Sequence, residues 1–195
     1  MTGARSPFHT HDAMVLVGGA ALVAIGVLLQ PSANAQASYA TFERDGLSVR
    51  YPQSATWFPP AGTGYPAIIS SAQCSSDSRV TCAGQPTARI AVRVYDDAMG
   101  LGQAQSGKDH DAEYGDRAKR IVAAEAPRDI AGKPWTCMRF AYVPVGARSE
   151  IAAVECSLLS SKKLYVVTLA GPDGYVSALE PEVIGTLAVT GGGSQ

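Results

Sequence analysis

The sequence predicts one α+β domain, built on antiparallel strands with two helices and preceded by an export signal. Three observations lead there. Several segments alternate apolar and polar residues between short glycine-containing turns, the pattern of half-buried strands in hairpins. Two cysteines sit symmetrically about one of those turns. An N-terminal apolar run ends in a proline and an Ala-x-Ala sequence. The size, 195 residues with 46% hydrophobic and 17% charged content, suits a single domain. A net charge of −1 gives no electrostatic basis for a nucleic-acid or anionic-membrane partner. Lys162-Lys163 reads as a solvated hairpin turn rather than a phosphate site.

Residues 14–29 form an unbroken run of apolar residues and glycine, followed by Gln30-Pro31 and then Ala33-Asn34-Ala35. This matches a secretory signal cleaved after Ala35, with Ala37 a second cut site. The run falls short of the roughly 20 residues of a membrane-spanning helix, and retention as an N-terminal anchor is the alternative. No cysteine stands at the cut site, which argues against lipid attachment. The expected organisation is a signal over residues 1–35, a domain over 36–190 and a flexible tail over 191–195. His9 and His11 fall in the segment that export removes.

Cys74, Cys82, Cys137 and Cys156 all follow the signal, and an even count in an exported chain favours disulfides. Residues 135–143 and 150–158 read as strands either side of Gly146. In an antiparallel pair, opposed residues lie equally far from the turn. Cys137 and Cys156 are equidistant from Gly146-Ala147. Opposed Cα atoms lie about 4.5–5.5 Å apart, within disulfide reach. The spacing predicts Cys137–Cys156 and, by elimination, Cys74–Cys82. Neither pair has the C-x-x-C spacing of a redox site, nor the short paired spacings of structural zinc.

In chain order, residues 39–43 and 47–51 alternate around Asp45-Gly46, a strong hairpin signal, and Pro52 ends the second strand. Trp57 and Phe58 are placed over one end of the core, because aromatic side chains bury large areas. Residues 65–72 and 89–95 read as strands, so a Cys74–Cys82 bridge closes the connection between them. Asp96-Asp97 reads as a turn and cap, and residues 100–107 as a glycine-rich loop. Residues 109–126 read as the main helix, because Tyr114, Ala118, Ile121 and Val122 share one face. Asp109, Asp111 and Glu113 suit its first turn, and His110 is read as part of that cap. A three-strand meander follows, running from the two cysteine strands through Ser160-Ser161 to residues 163–170, and forms the sheet centre. A helix over 175–189 closes the chain. It is buried through Val176, Leu179, Val183, Ile184 and Leu187, with Pro181 kinking or starting it.

The catalytic inventory is thin. There is no Gly-rich phosphate loop and no G-x-S-x-G elbow, and His110 is the single histidine after the signal. No residue is assigned a catalytic, cofactor-binding or metal-binding role. The enzyme alternative is a hydrolase or metal-dependent reaction using Asp96, Asp97, Asp109, His110 and Asp111, which requires these groups to converge in one cleft.

Local text adds a family resemblance. Phe42, Gly46-Leu47-Ser48-Val49 and Tyr51-Pro52, followed by Trp57, resemble the opening hairpin of the PsbP-like superfamily. Ile130-Ala131-Gly132 before the meander is similar to that family, as is Tyr165-Val166-Val167-Thr168-Leu169 before the final helix. The superfamily includes photosystem II extrinsic P proteins, a Ran-binding nuclear import factor and many exported bacterial domains. The resemblance implies an α/β/α sandwich, an antiparallel sheet flanked by helices, used for binding. Fold does not transfer function, and none of the family's partner-binding residues can be placed on this chain. The expected role is an exported, non-enzymatic accessory of the periplasm or cell envelope. Its partner is a protein or small molecule, with no nucleic acid and no cofactor. It meets the membrane only if the N-terminal segment stays uncleaved.

Overall fold

A β-strand turns successive side chains to opposite faces, so one sheet can carry two unlike surfaces. This chain does so over six strands. The computed structural model describes residues 38–54, 56–58, 66–71, 81–82, 85–115, 119–144 and 147–190, all within the unit Gln36–Gln195. Its strands are β1 (Tyr39–Arg44), β2 (Leu47–Pro52), β3 (Ala67–Ser70), β4 (Thr81–Cys82), β5 (Gln85–Pro86) and β6 (Arg89–Asp96). Helix α1 (Leu101–His110) runs on into a π-helical turn at Asp111–Gly115. After it come β7 (Arg120–Ile130), β8 (Lys133–Tyr142), β9 (Ile151–Ser160), β10 (Lys163–Gly171), helix α2 (Asp173–Val183) and β11 (Ala188–Val189). The main sheet has the order β3-β6-β10-β9-β8-β7; β1, β2 and β11 form a second sheet, and β4 and β5 a small third one.

Three hairpins turn in the same way. Two-residue turns that match strand twist need positive φ at both central residues. Asp45 and Gly46 (51° and 82°) join β1 to β2, Ala131 and Gly132 (52° and 74°) join β7 to β8, and Ser161 and Lys162 (51° and 59°) join β9 to β10. Cys137 lies directly opposite Cys156 in the β8–β9 register, and a disulfide joins them. The Cys74–Cys82 pairing, the Gly146 turn, the apolar run 14–29 and the tail 191–195 lie outside the described residues.

The inner face of the main sheet packs on α2 and on the β1-β2-β11 sheet. Ile69, Ile90, Val92, Val154, Cys156, Val167, Leu169 and Trp135 meet Leu47, Val49, Val176, Val183 and Leu187 in one apolar core. Trp57 is buried in that core, as expected of an aromatic at its end. The antiparallel α+β layout with helices flanking the sheet is thus present, with α1 on the outer face and α2 on the inner.

Two elements differ from expectation. The expected helix over 109–126 is displaced: α1 occupies residues expected to form a glycine-rich loop, and Arg120–Ile130 is an edge strand. The reason is tertiary. Asp97 caps α1 from upstream, its carboxylate accepting the Gln103 N–H at 2.8 Å. Downstream, Pro127 disfavours helix at Ala126 yet is tolerated on a sheet edge. Pairing with β8 satisfies the backbone of β7, with register shifts between Ile121 and Ala126. Ile121 and Val122, expected on a buried helix face, are each 50% exposed. The closing helix is also shorter than expected. It stops at Val183, and Ala188–Val189 pairs instead with Ser48 and Leu47 of β2. Pro181 lies within the helix, and a Cβ on Gly185 would meet the Pro181 carbonyl oxygen at 2.3 Å, so the chain can turn there on glycine alone.

Candidate functional site

Outward-facing positions of the central strands carry charge. Arg89 and Arg93 on β6, Thr168 on β10 and Glu155 on β9 all point to the outer face, because Thr168 stands opposite both Ala91 and Glu155 in register. Burying a charge is costly unless it is paired and hydrogen-bonded. The end of α1 supplies the pairing. Glu113 in the π-helical turn binds Arg89 through one carboxylate oxygen and Arg93 through the other. Tyr114, fully buried, packs edge-on against Phe140 and Tyr142 of β8 with ring centroids 5.0 and 4.8 Å away. Its hydroxyl accepts from Arg89 at 3.4 Å. Burial chiefly, with the neighbouring Glu113, pushes the Tyr114 hydroxyl pKa well up.

A second chain of contacts runs through His110. Its Nδ1 lies 2.9 Å from Glu155 Oε1, and its Nε2 lies 2.6 Å from Lys119 Nζ. A lysine ammonium can donate but not accept. Nε2 is therefore placed to accept from Lys119, and Nδ1–H to donate to Glu155. Thr168 Oγ1 donates to the other Glu155 oxygen at 2.8 Å and accepts from Arg93 at 3.5 Å. Burial, the strongest influence on Glu155, acts to raise its pKa. The hydrogen bond and charge of His110, the hydrogen bond from Thr168 and the charge of Arg93 overcome it, so the carboxyl lies below its ordinary value. His110 is further held edge-on by Tyr114 and Phe140.

Beside this cluster α1 leaves part of the sheet uncovered. A cleft of about 1000 Å³ opens there, floored by Thr136 and Met138 of β8, Ser157 and Leu159 of β9, and Leu164 and Val166 of β10. One wall is α1, through Gln103, Ser106 and His110; the other is β7, through Ile121 and Ala124. Concave sites with an apolar floor and a few fixed polar groups are the usual form of a ligand site.

The acidic residues of the enzyme alternative do not gather here. Asp97 caps α1, Asp109 accepts from Tyr95 and Gln105 at 2.8 and 2.7 Å, and Asp96 is exposed at the end of β6. His110 and Asp111 alone of that set line the cleft. Among the described residues, no three His, Cys, Asp or Glu side chains cluster closely enough to hold a metal ion. His110, expected at the start of a helix, stands at the end of one, where it packs against Glu155 rather than capping anything. Arg89, Arg93 and Glu155 were not singled out from sequence, and Glu113 was expected only as a first-turn charge of a helix. The signal for three of them was present: Arg89, Arg93 and Glu155 interrupt otherwise apolar strands at positions of one parity.

No family model matches the chain, and no curated protein resembles it in sequence. Solved structures of similar fold include the PsbP protein of the cyanobacterium Synechocystis sp. PCC 6803, at 15% identity over 85% of this chain and 100% of that one, with a TM-score of 0.47. They also include the Ran-binding protein Mog1p of Saccharomyces cerevisiae, at 9% identity over 78% and 96% of the two chains, with a TM-score of 0.46. A third is LpqN of Mycobacterium tuberculosis, described as involved in cell envelope biogenesis, at 11% identity over 80% and 92%, with a TM-score of 0.45. One of them, the Synechocystis PsbP protein, carries the name of the family that the opening hairpin resembles.

Proposed function

We propose that the chain is an exported, non-enzymatic binding domain of the periplasm or cell envelope, whose site is the cleft on the outer face of the main sheet. The observation that carries this reading is the sheet face left half-covered by α1, a preformed concavity beside a rigid charged cluster. His110 supports binding over catalysis. Both of its ring nitrogens are engaged, one by Glu155 and one by Lys119, so it holds no free lone pair to act as a base. Export rests on the apolar run of residues 14–29 and the Ala33-Asn34-Ala35 sequence that follows it. Among the described residues no helix is long and apolar enough to cross a membrane.

Native mass spectrometry of the protein taken from its own envelope fraction tests both parts. The expected protein mass is that of a chain beginning at Gln36, and a mass retaining residues 14–29 would favour the anchored form. A bound molecule or partner is expected on the wild type and lost on Ser157→Trp, which fills the cleft floor. Full retention by Ser157→Trp would place binding elsewhere.

A further inference from the structure

We infer that the cleft takes an amphiphile with one carboxylate-type anionic head group, held at Lys119, and an apolar body laid along the strand floor. This rests on the cleft being the binding site. The charges on the outer face do not balance. Arg89 and Arg93 are offset by Glu113 and Glu155, and His110, a nitrogen base, adds no negative charge. Lys119 is then one cation too many. It is half-buried and lines the cleft. Its Nζ donates to His110 and sits 5.4 Å over the Phe140 ring. Among the described residues it has no carboxylate within ion-pair reach.

The other unpaired charges of the cleft point the same way. Lys133 is half-buried, whereas Asp111 and Glu125 are exposed at the rim, and none of the three has an ion pair among the described residues. Glu155 also lines the cleft, but its two oxygens are taken by His110 and Thr168, so Lys119 and Lys133 are the half-buried charges of the lining that lack a carboxylate partner among the described residues. An ammonium has three donors. One of Lys119's goes to His110, which leaves capacity for a carboxylate oxygen in a charge-assisted hydrogen bond.

The floor supplies the second half of the recognition. Met138, Leu164 and Val166 make an apolar strip, extended by Leu159 and Ile121, which are 51% and 50% exposed. Leu164 and Val166 are buried at the base of this strip, while Leu159 and Ile121 present its apolar surface to the opening. A small hydrophilic anion would leave that strip wet. A neutral apolar molecule would leave Lys119 unmatched. A single-chain carboxylate satisfies both.

Calorimetric titration of the purified chain with dodecanoate and with dodecan-1-ol, both below their micelle or solubility limits, tests the assignment. Dodecanoate is expected to bind at least about tenfold more tightly than the alcohol, the scale of one charge-assisted contact. Lys119→Gln keeps a donor for His110 Nε2 and removes the charge. It is expected to bring dodecanoate down to the alcohol's affinity and to leave the alcohol unchanged. Equal affinities in the wild type, or an unaltered preference in Lys119→Gln, would overturn the head-group assignment. Failure of both probes to bind, with an envelope-derived molecule still displaced by Ser157→Trp, would overturn the amphiphile and leave the cleft standing. Dodecanoate binding that survives Ser157→Trp would overturn the cleft itself.

Discussion

The inner and outer faces of the main sheet are made by the same strands, yet they are held by different physics. On β10, Tyr165, Val167 and Leu169 point inward into an apolar core, while Val166 and Thr168 point outward toward cleft and charge. On β9, Val154 and Cys156 point inward and Glu155 outward. The inner face is closed by α2 and a second sheet, so its stability is spread over many interchangeable contacts. The outer face is closed only over one part, and there a few charged groups each depend on a particular partner. The first arrangement makes the fold robust. The second fixes side chains around an opening, which is what a binding site requires.

That contrast can be broken from either side. The largest effect is expected at Glu113, which is shared by two buried guanidiniums. Glu113→Ala should cost about 3–5 kcal/mol in urea unfolding, as removal of one partner of a buried ion pair does. A loss under about 1 kcal/mol would mean that the outer cluster is ornament rather than support. On the inner face, Leu169→Ala should cost about 2–4 kcal/mol through lost burial and the cavity left behind. The two should differ in ionic-strength dependence, with salt narrowing the effect at Glu113 more than that at Leu169.

A pH profile sharpens the same comparison. Glu155 lies below its ordinary value of 4.5 in the folded chain. Its ionised form therefore stabilises the fold above that pH, and this contribution is lost as pH falls through the lower, folded value. Glu155→Gln should flatten the acid limb of the stability curve, read from urea midpoints between neutral and strongly acid pH. An unchanged acid limb would show that the His110–Glu155–Thr168 contacts do not favour the carboxylate. The smallest effect lies at the β7–β8 turn. Ala131 adopts φ 52° without being glycine or asparagine. Ala131→Asn should gain about 0.5–1 kcal/mol by relieving that backbone strain.

The inner face was the legible one. Asp45-Gly46 marks its hairpin, alternation marks Arg89–Asp96, and the symmetry of Cys137 and Cys156 about their turn matches the register that joins them. These signals are local, and strand period and turn chemistry are properties of short text. The outer face was not legible in the same way. Arg89 and Arg93 find Glu113 across 24 and 20 residues, and no periodicity announces such a pairing. Helix spacing at Tyr114, Ile121 and Val122 was real, but strand pairing with β8 outweighed it, because an edge strand beside Cys137 was available to take up the backbone. Once α1 moved upstream, His110 moved from a supposed cap to the centre of the charged cluster. The site emerged from that displacement.

The central claim is that the outer cleft is where this protein meets its partner. Site-specific photo-crosslinking in the producing cell tests it most directly. A benzophenone side chain at Thr136, exposed and lining the cleft, is compared with one at Thr41, exposed on β1. The expected result is an adduct from position 136, abolished by Ser157→Trp, and none from position 41. An adduct from position 41 with nothing at 136 would contradict the account and move the functional surface to the other sheet.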